Sequence, residues 1–268
     1  MMEGRKKKFM KELSQRAKVR EESGLFVVDG PKMCSEIPSG LLSEVYVTEG
    51  FLSSPHAASC EKLLQNHGFT VITDQEMKQI SDTVTPQGIL CLVRQQNAKG
   101  IRALIGDDAS EPPLLILLET IQDPGNLGTI FRAGEACGIS GILMNGLTAD
   151  VYSPKVIRST MGSVFRMPFV YVNDLKKAAK DLREGIYTGG RPVEILAGDL
   201  AAESDYTLFD YRNPCAFMIG NESKGLSEEL KAEASRRIKI PMKGKVESLN
   251  AAMAATVIGF EAARQRRN

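Results

Sequence analysis

Three short polar segments in the second half of the chain carry helix-capping side chains, an acid between glycines and a cation suited to holding an anion. The first, "QDPGNLGTIFRAGEACG" (Gln122 to Gly138), spaces Asn126 and Arg132 along what reads as a helix. Asn126 can cap that helix, whose apolar side is Leu127, Ile130, Phe131 and Gly134. Arg132 lies four residues after Gly128, and helical side chains lean toward the N-terminus, so its guanidinium can pass over the bare glycine to the helix mouth. A cation beside free backbone N–H groups suits a phosphate; a surface pair with Glu135, three residues on, explains it as well. The second segment, "NESKGLSEEL" (Asn221 to Leu230), sets an acid, Glu222, between Gly220 and Gly225, and Ser227 then starts a helix. In the third, "MKGKVESLN" (Met242 to Asn250), Ser248 and Asn250 stand at the mouth of an alanine-rich helix. Ser248 reads as its N-cap, and the small face of Ala251, Ala252, Ala254 and Ala255 permits close packing on the rest of the domain or on a second subunit.

Each segment directly follows a compact apolar run. Leu114 to Glu119 precedes the first, Cys215 to Gly220 the second and Arg237 to Pro241 the third; Gly141 to Met144 and Val193 to Ala197 are runs of the same kind. Continuous rather than alternating apolar character predicts strands covered on both faces, as in a parallel sheet flanked by helices. In such a sheet the C-terminal strand ends share one edge, where ligands bind, so the three segments should converge on one site.

A second apolar region lies upstream. Runs at Leu25 to Asp29, Glu44 to Thr48, Phe69 to Thr73 and Gly88 to Val93 alternate with helical stretches near Lys32, at Ala57 to Asn66 and at Gln75 to Ser81, which predicts a small α/β domain. Between the two regions, charge, glycine and a proline pair interrupt the pattern. The expected organisation is therefore residues 1–96 as arm and first domain, 97–112 as linker and 113–268 as second domain. Over 268 residues, 43% of them hydrophobic, real cores can form. The net charge of +1 hides a basic arm: residues 1–20 hold eight basic side chains (Arg5, Lys6, Lys7, Lys8, Lys11, Arg16, Lys18 and Arg20) against Glu3 and Glu12. Such an arm, with the smaller cluster Arg264, Arg266 and Arg267, fits a phosphate backbone or simply a solvated or frayed terminus.

Several classes lack support. Five cysteines without ligand spacing and two isolated histidines predict no disulfide framework, no metal site and no histidine-based catalysis. No apolar run is long enough to span a membrane, and the basic N-terminus lacks the core of a signal peptide, so a cytoplasmic protein is expected. Neither GxxxxGK[ST] nor GxGxxG after a first strand is present, which leaves a nucleotide-binding oxidoreductase with only the α/β pattern in its favour.

In series, "NLGTIFRAGEACG", "IGNESKGL" and "IPMKGKVESLNAAMAATVIGFEAAR" resemble the three motifs of the SpoU-type, TrmH-like RNA ribose methyltransferases of the SPOUT superfamily. The first region, in "GLFVVDGPK" and "SDTVTPQGILCLV", resembles that family's ribosomal-protein-like RNA-binding domain. The resemblance implies an α/β fold whose C-terminal domain has a parallel sheet and a deep trefoil knot, S-adenosylmethionine as cofactor, a homodimer, and RNA as partner. It implies methyl transfer to a ribose 2′-hydroxyl without a metal. Ribosomal RNA is the first expectation and transfer RNA its closest rival; a non-catalytic RNA-binding or ribosome-assembly factor is the alternative from another class. Carried over position by position, Gly220, Ile240 and Leu249, with Ala197 and Gly198 on the other side of the adenine, are the implied cofactor contacts. Asn126, Arg132, Glu222, Ser248 and Asn250 are the implied polar residues around the reacting ribose. The family assigns the arginine as general base. A guanidinium holds its proton tightly, so phosphate binding and charge stabilisation are the minimum role expected of Arg132, with Glu222 positioning it.

Overall fold

The computed structural model describes residues 2–96, 100–105 and 111–267. Two compact units divide the chain: Met1–Gln96 together with Asp150–Phe165, and Asn97–Ala149 together with Arg166–Asn268. The expected single piece 113–268 is thus interrupted by a segment that packs with the first unit. Of the expected linker, residues 97–99 and 106–110 lie outside the described residues. Arg102–Ile105 forms a helical turn, and Ile101 and Leu104 join the core of the second unit because both are apolar and have a sheet face to cover.

The first unit is built on a four-stranded sheet, in the order β1 (Leu25–Asp29), β4 (Ile89–Arg94), β2 (Leu42–Val47), β3 (Thr70–Val71). β4 runs antiparallel to both neighbours, and β3 is parallel to β2. The basic arm is neither frayed nor freely solvated. It forms the helix Gly4–Gln15, whose Met10 and Leu13 are wholly buried, and the helix Ala17–Ser23. Lys7 and the Met2 N–H meet Glu76, each at 2.8 Å, and Lys6 pairs with Glu44 at 2.6 Å. Arg20 is buried and reaches Asp150 at 2.6 Å, so it fastens the 150–165 segment and is not free for phosphate. This is a correction to the count of available cations. At the other terminus Arg266 donates to the carbonyls of Tyr211 and Asn213, and Arg264 pairs with Glu261; burial of the neighbouring backbone, which needs donors, has claimed Arg266.

The second unit is a seven-stranded parallel sheet, ordered β7 (Phe169–Val172), β6 (Gly141–Asn145), β5 (Leu114–Leu118), β10 (Cys215–Ile219), β8 (Glu194–Gly198), β11 (Arg236–Lys239), β9 (Ser204–Asp205). β5 and β10 are buried at every position, as continuous apolar runs predict for strands covered on both faces. On one face Leu115, Leu117, Ala216 and Met218 pack with the helix Leu175–Arg183. Elsewhere in the unit the helices Pro124–Cys137 and Ala251–Arg266 lie against each other, and a side chain at Gly259 would come within 2.6 Å of Cys137 Sγ. Ala251, Ala252 and Ala255 are buried within this unit, which assigns the small face to intramolecular packing.

Candidate active site

β5, β10 and β11 are parallel members of one sheet, with β8 between the last two, and the three polar segments leave their C-terminal ends along one edge. The first segment begins with strain. Thr120, a β-branched residue, has φ of +61°, and Asn145 and Asn221 hold it there. Asn145 Oδ1 accepts the Thr120 N–H at 2.9 Å, Asn145 Nδ2 donates to the Thr120 hydroxyl at 2.8 Å, and Asn221 Nδ2 donates to its carbonyl at 2.9 Å. Such a conformation persists only where its surroundings fix it, and it aims the following residues at the second segment.

The helix is capped by Asp123 and not by Asn126: Asp123 Oδ1 accepts the Asn126 N–H at 2.8 Å, and Pro124 occupies the first helical position. The correction matters chemically, because a capping Asn126 would have spent its carbonyl on the backbone. Its side chain instead joins two other motifs, donating to Glu222 Oε1 at 3.0 Å and accepting from Asn250 Nδ2 at 2.8 Å. Ser248 is likewise not the cap of the last helix. Asn250 is, its Oδ1 accepting the N–H groups of Ala252 at 2.9 Å and Met253 at 3.3 Å. A cap must directly precede the first helical residue, and that residue is Ala251. Asn250 thus caps with one atom and reaches Asn126 with the other, while the exposed Ser248 hydroxyl makes no hydrogen bond among the described residues.

Glu222 gathers the ends of the first two segments. Its Oε1 takes the Asp123 N–H at 3.2 Å as well as Asn126, and its Oε2 takes the Gln122 N–H and Asn221 Nδ2, both at 3.4 Å. Partial burial pushes its carboxyl upward, but these bonds together outweigh that and hold it below the usual carboxylate range. It is therefore an ionised acceptor and a poor base. The contact expected between Glu222 and Arg132 is not made, since every oxygen of Glu222 faces the loop and Asn126. Arg132 is exposed and has no hydrogen bond or ion pair among the described residues. The alternative pairing with Glu135 is also not made, because Arg166 takes that carboxylate.

The second segment turns on two glycines. A Cβ at Gly220 would lie 2.2 Å from the Gly225 carbonyl carbon and the Leu226 nitrogen, so only glycine allows the loop to close on itself. Gly225 has φ of +68° and exchanges two backbone hydrogen bonds with Asn221, at 3.1 and 2.9 Å. Glu119, which sequence reasoning passed over, anchors the far side by accepting the Ser227 N–H at 2.7 Å and hydroxyl at 2.6 Å. An acid closing a strand directly before a polar loop was the signal available for it.

A cavity of about 320 Å³ opens beside this cluster. Gly198, Gly220, Ile240, Ser248 and Leu249 line it, with Ile219, Ile238 and Ile258 supplying apolar wall. Ala197 does not line it; that side chain is wholly buried in the core beneath the sheet, because successive strand residues face opposite sides. The volume, an apolar wall and a few polar groups at the rim fit a small amphipathic ligand of nucleoside type. One buried acceptor in the wall, Asp199 Oδ2, has no hydrogen-bond partner among the described residues, which fits a ligand that brings a donor. Among the described residues no three His, Cys, Asp or Glu side chains gather as a metal ion would require, and no helix is long and apolar enough to cross a membrane.

Comparison with known proteins agrees with this layout. Residues 113–260 match the SpoU rRNA Methylase family, and residues 5–91 match the MRM3-like substrate binding domain. The chain is 39% identical over 151 residues to the 23S rRNA (uridine(2479)-2′-O)-methyltransferase of Streptomyces viridochromogenes, a stretch that is 56% of this chain and 52% of that protein. The chain thus spans about half the length of that relative. It is 26% identical over 251 residues to the 23S rRNA (guanosine(2553)-2′-O)-methyltransferase RlmP of Bacillus subtilis, covering 91% of this chain and 90% of RlmP. The structure of the SpoU methyltransferase AviRb of Streptomyces viridochromogenes with the cofactor AdoMet superposes with a TM-score of 0.84, at 28% identity and 98% coverage of both chains. Two of the three strand-end motifs line one cavity, the first is tied to both through Asn126, and the family match covers more than half of the chain; this chain belongs to the SpoU rRNA methylase family.

Proposed function

We propose that this protein transfers the methyl group of S-adenosylmethionine to a ribose 2′-hydroxyl of ribosomal RNA. The observation that carries the reading is the chain Glu222–Asn126–Asn250, which ties all three motifs together at the rim of the cavity. When bound, S-adenosylmethionine supplies a methyl group already activated on a sulfonium, so the protein's task is alignment and management of one proton. Alignment of this kind is worth roughly 7 to 11 kcal/mol. Gly198, Gly220, Ile240 and Leu249 form the walls that hold the cofactor. Asn126 and Asn250, fixed to each other and to Glu222, orient the ribose, and the free Ser248 hydroxyl stands beside them. The unpaired guanidinium of Arg132 holds the target phosphate and stabilises charge on the attacking oxygen.

In the first unit Lys8, Lys11 and Lys78 line a groove of the surface and have no ion pair among the described residues, which supports it as the RNA-binding unit. Residues 1–96 as substrate-binding domain, a knotted C-terminal path, a homodimer, action in the cytoplasm and no requirement for metal complete the proposal. Met253 and Phe260 are exposed seven residues apart on one helix, which supports a second copy covering that face. The test is transfer of radiolabelled methyl from S-adenosylmethionine to unmodified ribosomal RNA and, separately, transfer RNA, followed by digestion to nucleosides. Label in a 2′-O-methyl nucleoside of ribosomal RNA is expected; label only in transfer RNA would move the substrate, and absence of both label and cofactor binding would favour a non-catalytic RNA-binding protein.

A further inference from the structure

Asp199 follows the last residue of β8 and lines the cavity with a side chain only 9% exposed. Its Oδ1 accepts the Ala201 N–H at 3.0 Å. Its Oδ2 is buried and makes no hydrogen bond among the described residues, although Arg237 Nη1 stands at 3.5 Å and Lys231 Nζ at 3.7 Å, within ion-pair range. The two cations compensate its charge without satisfying its directional need. A buried acceptor left so carries a desolvation penalty that a ligand donor would remove. The other acid in the cavity wall, Glu222, is fully engaged with Asn126 and the loop, so Asp199 is the carboxylate left for a ligand.

We infer that Asp199 Oδ2 accepts a hydrogen bond from a hydroxyl of the cofactor's ribose, with Lys231 beside it facing the neighbouring hydroxyl. The inference rests on the reading that this cavity holds S-adenosylmethionine. Three donor groups of that molecule compete for the position. Its ammonium would add a third cation to a carboxylate already flanked by Lys231 and Arg237, which is unfavourable. Its adenine amine donates but brings no acceptor for the adjacent Lys231 ammonium, which also lines the cavity and, having donated to Glu228 Oε1 at 2.7 Å, keeps further N–H groups to give. A vicinal diol both donates and accepts, and so matches an acceptor set next to a donor. Asp199 is accordingly a specificity residue that selects a ribonucleoside over its deoxy counterpart.

The test is calorimetric binding to the full chain of S-adenosylhomocysteine, its 2′-deoxy and 3′-deoxy forms, and the inosine form that lacks the amine. The native protein should lose roughly tenfold or more in affinity for one of the deoxy forms, as expected for a hydrogen bond to a charged group. Asp199→Ala should bind S-adenosylhomocysteine that much more weakly and no longer discriminate between it and that deoxy form. Asp199→Asn, of the same shape, carries the comparison if the alanine variant unfolds, and should discriminate less than the native protein. Undiminished discrimination in the variants would overturn the inference, as would a loss that tracks the missing amine instead. Failure of the native protein to bind S-adenosylhomocysteine at all would instead strike at the cofactor reading itself.

Discussion

Glu222→Ala and Glu222→Gln together separate positioning from proton transfer at the centre of the site. The two shorter hydrogen bonds, from Asn126 Nδ2 at 3.0 Å and the Asp123 N–H at 3.2 Å, both go to Oε1; the two at 3.4 Å go to Oε2. A glutamine keeps a carbonyl oxygen for the shorter pair and places its amide where the weak pair was. An alanine loses all four. Taking about 1 kcal/mol for each of the shorter bonds, at the low end because Glu222 is exposed, Glu222→Ala should cost about 2 kcal/mol. Expressed in the transition state, that is a ~30-fold fall in kcat, and Glu222→Gln should stay within about fivefold of the native enzyme. Cofactor affinity should change little in either, because Asn221 and Gly225 keep the loop closed. The assay is methyl transfer at saturating RNA and cofactor, alongside calorimetry with S-adenosylhomocysteine. A glutamine variant as impaired as the alanine variant would refute the reasoning, since the charge or basicity of the carboxylate would then be what matters. The low-lying carboxyl of Glu222 argues for the opposite outcome.

Three further outcomes follow from the same geometry. Gly220→Ala places a methyl 2.2 Å from the backbone of Gly225 and Leu226, and should cost about 1 to 3 kcal/mol in thermal stability together with at least about tenfold in cofactor affinity, both measurable on the purified chain. Arg132→Lys keeps the charge but loses the planar fork, so turnover at saturating RNA should drop by roughly tenfold or more with cofactor binding unchanged; near-normal turnover would remove the specific guanidinium role. Glu76 has its carboxyl pushed down to about 2, first by Lys7 and then by the N–H groups of Thr73 and Met2. Because that folded-state value lies below the ordinary one, its contribution is complete above about pH 4.5 and is lost as the pH falls toward 2. Melting temperature between pH 5 and 2.5 should therefore fall more steeply in the native protein than in Glu76→Gln, and parallel curves would reject this role.

What could be read in the sequence depended on how many constraints each residue satisfied alone. β5 and β10 were legible because burial on both faces demands an unbroken apolar run, and Ile116 or Phe217 could stand nowhere else. β9 is two polar residues, Ser204 and Asp205, paired at the sheet edge, and carries no pattern to detect. β7 has a half-exposed face at Tyr171 and an ordinary short alternation. Both cap assignments failed for one reason: near each helix start stand two residues able to cap, Asp123 and Asn126 or Ser248 and Asn250, and only the position of the first helical residue decides between them. Pro124 was a signal for Asp123. No signal marked Thr120, since a β-branched residue is among the least expected at positive φ. The expected meeting of the segments does not depend on either cap: Asn126, freed from capping, bonds Glu222 and Asn250, and Ser248 lines the cavity.

The segment Asp150–Phe165 has a consequence for how such a chain can change over time. The second unit is not a bead that can be cut out or exchanged: the polypeptide leaves it after Ala149 and returns at Arg166. A fragment starting at residue 113 would expose Val156, Ile157 and Val164, which are buried in the full chain, and would separate Asp150 from Arg20. Recombination that swaps the first 96 residues for another RNA-binding unit would strand the same surface. Innovation in what this protein recognises is therefore confined to substitution within a coupled pair of units, and a graft succeeds only when the donor contributes both stretches of sequence.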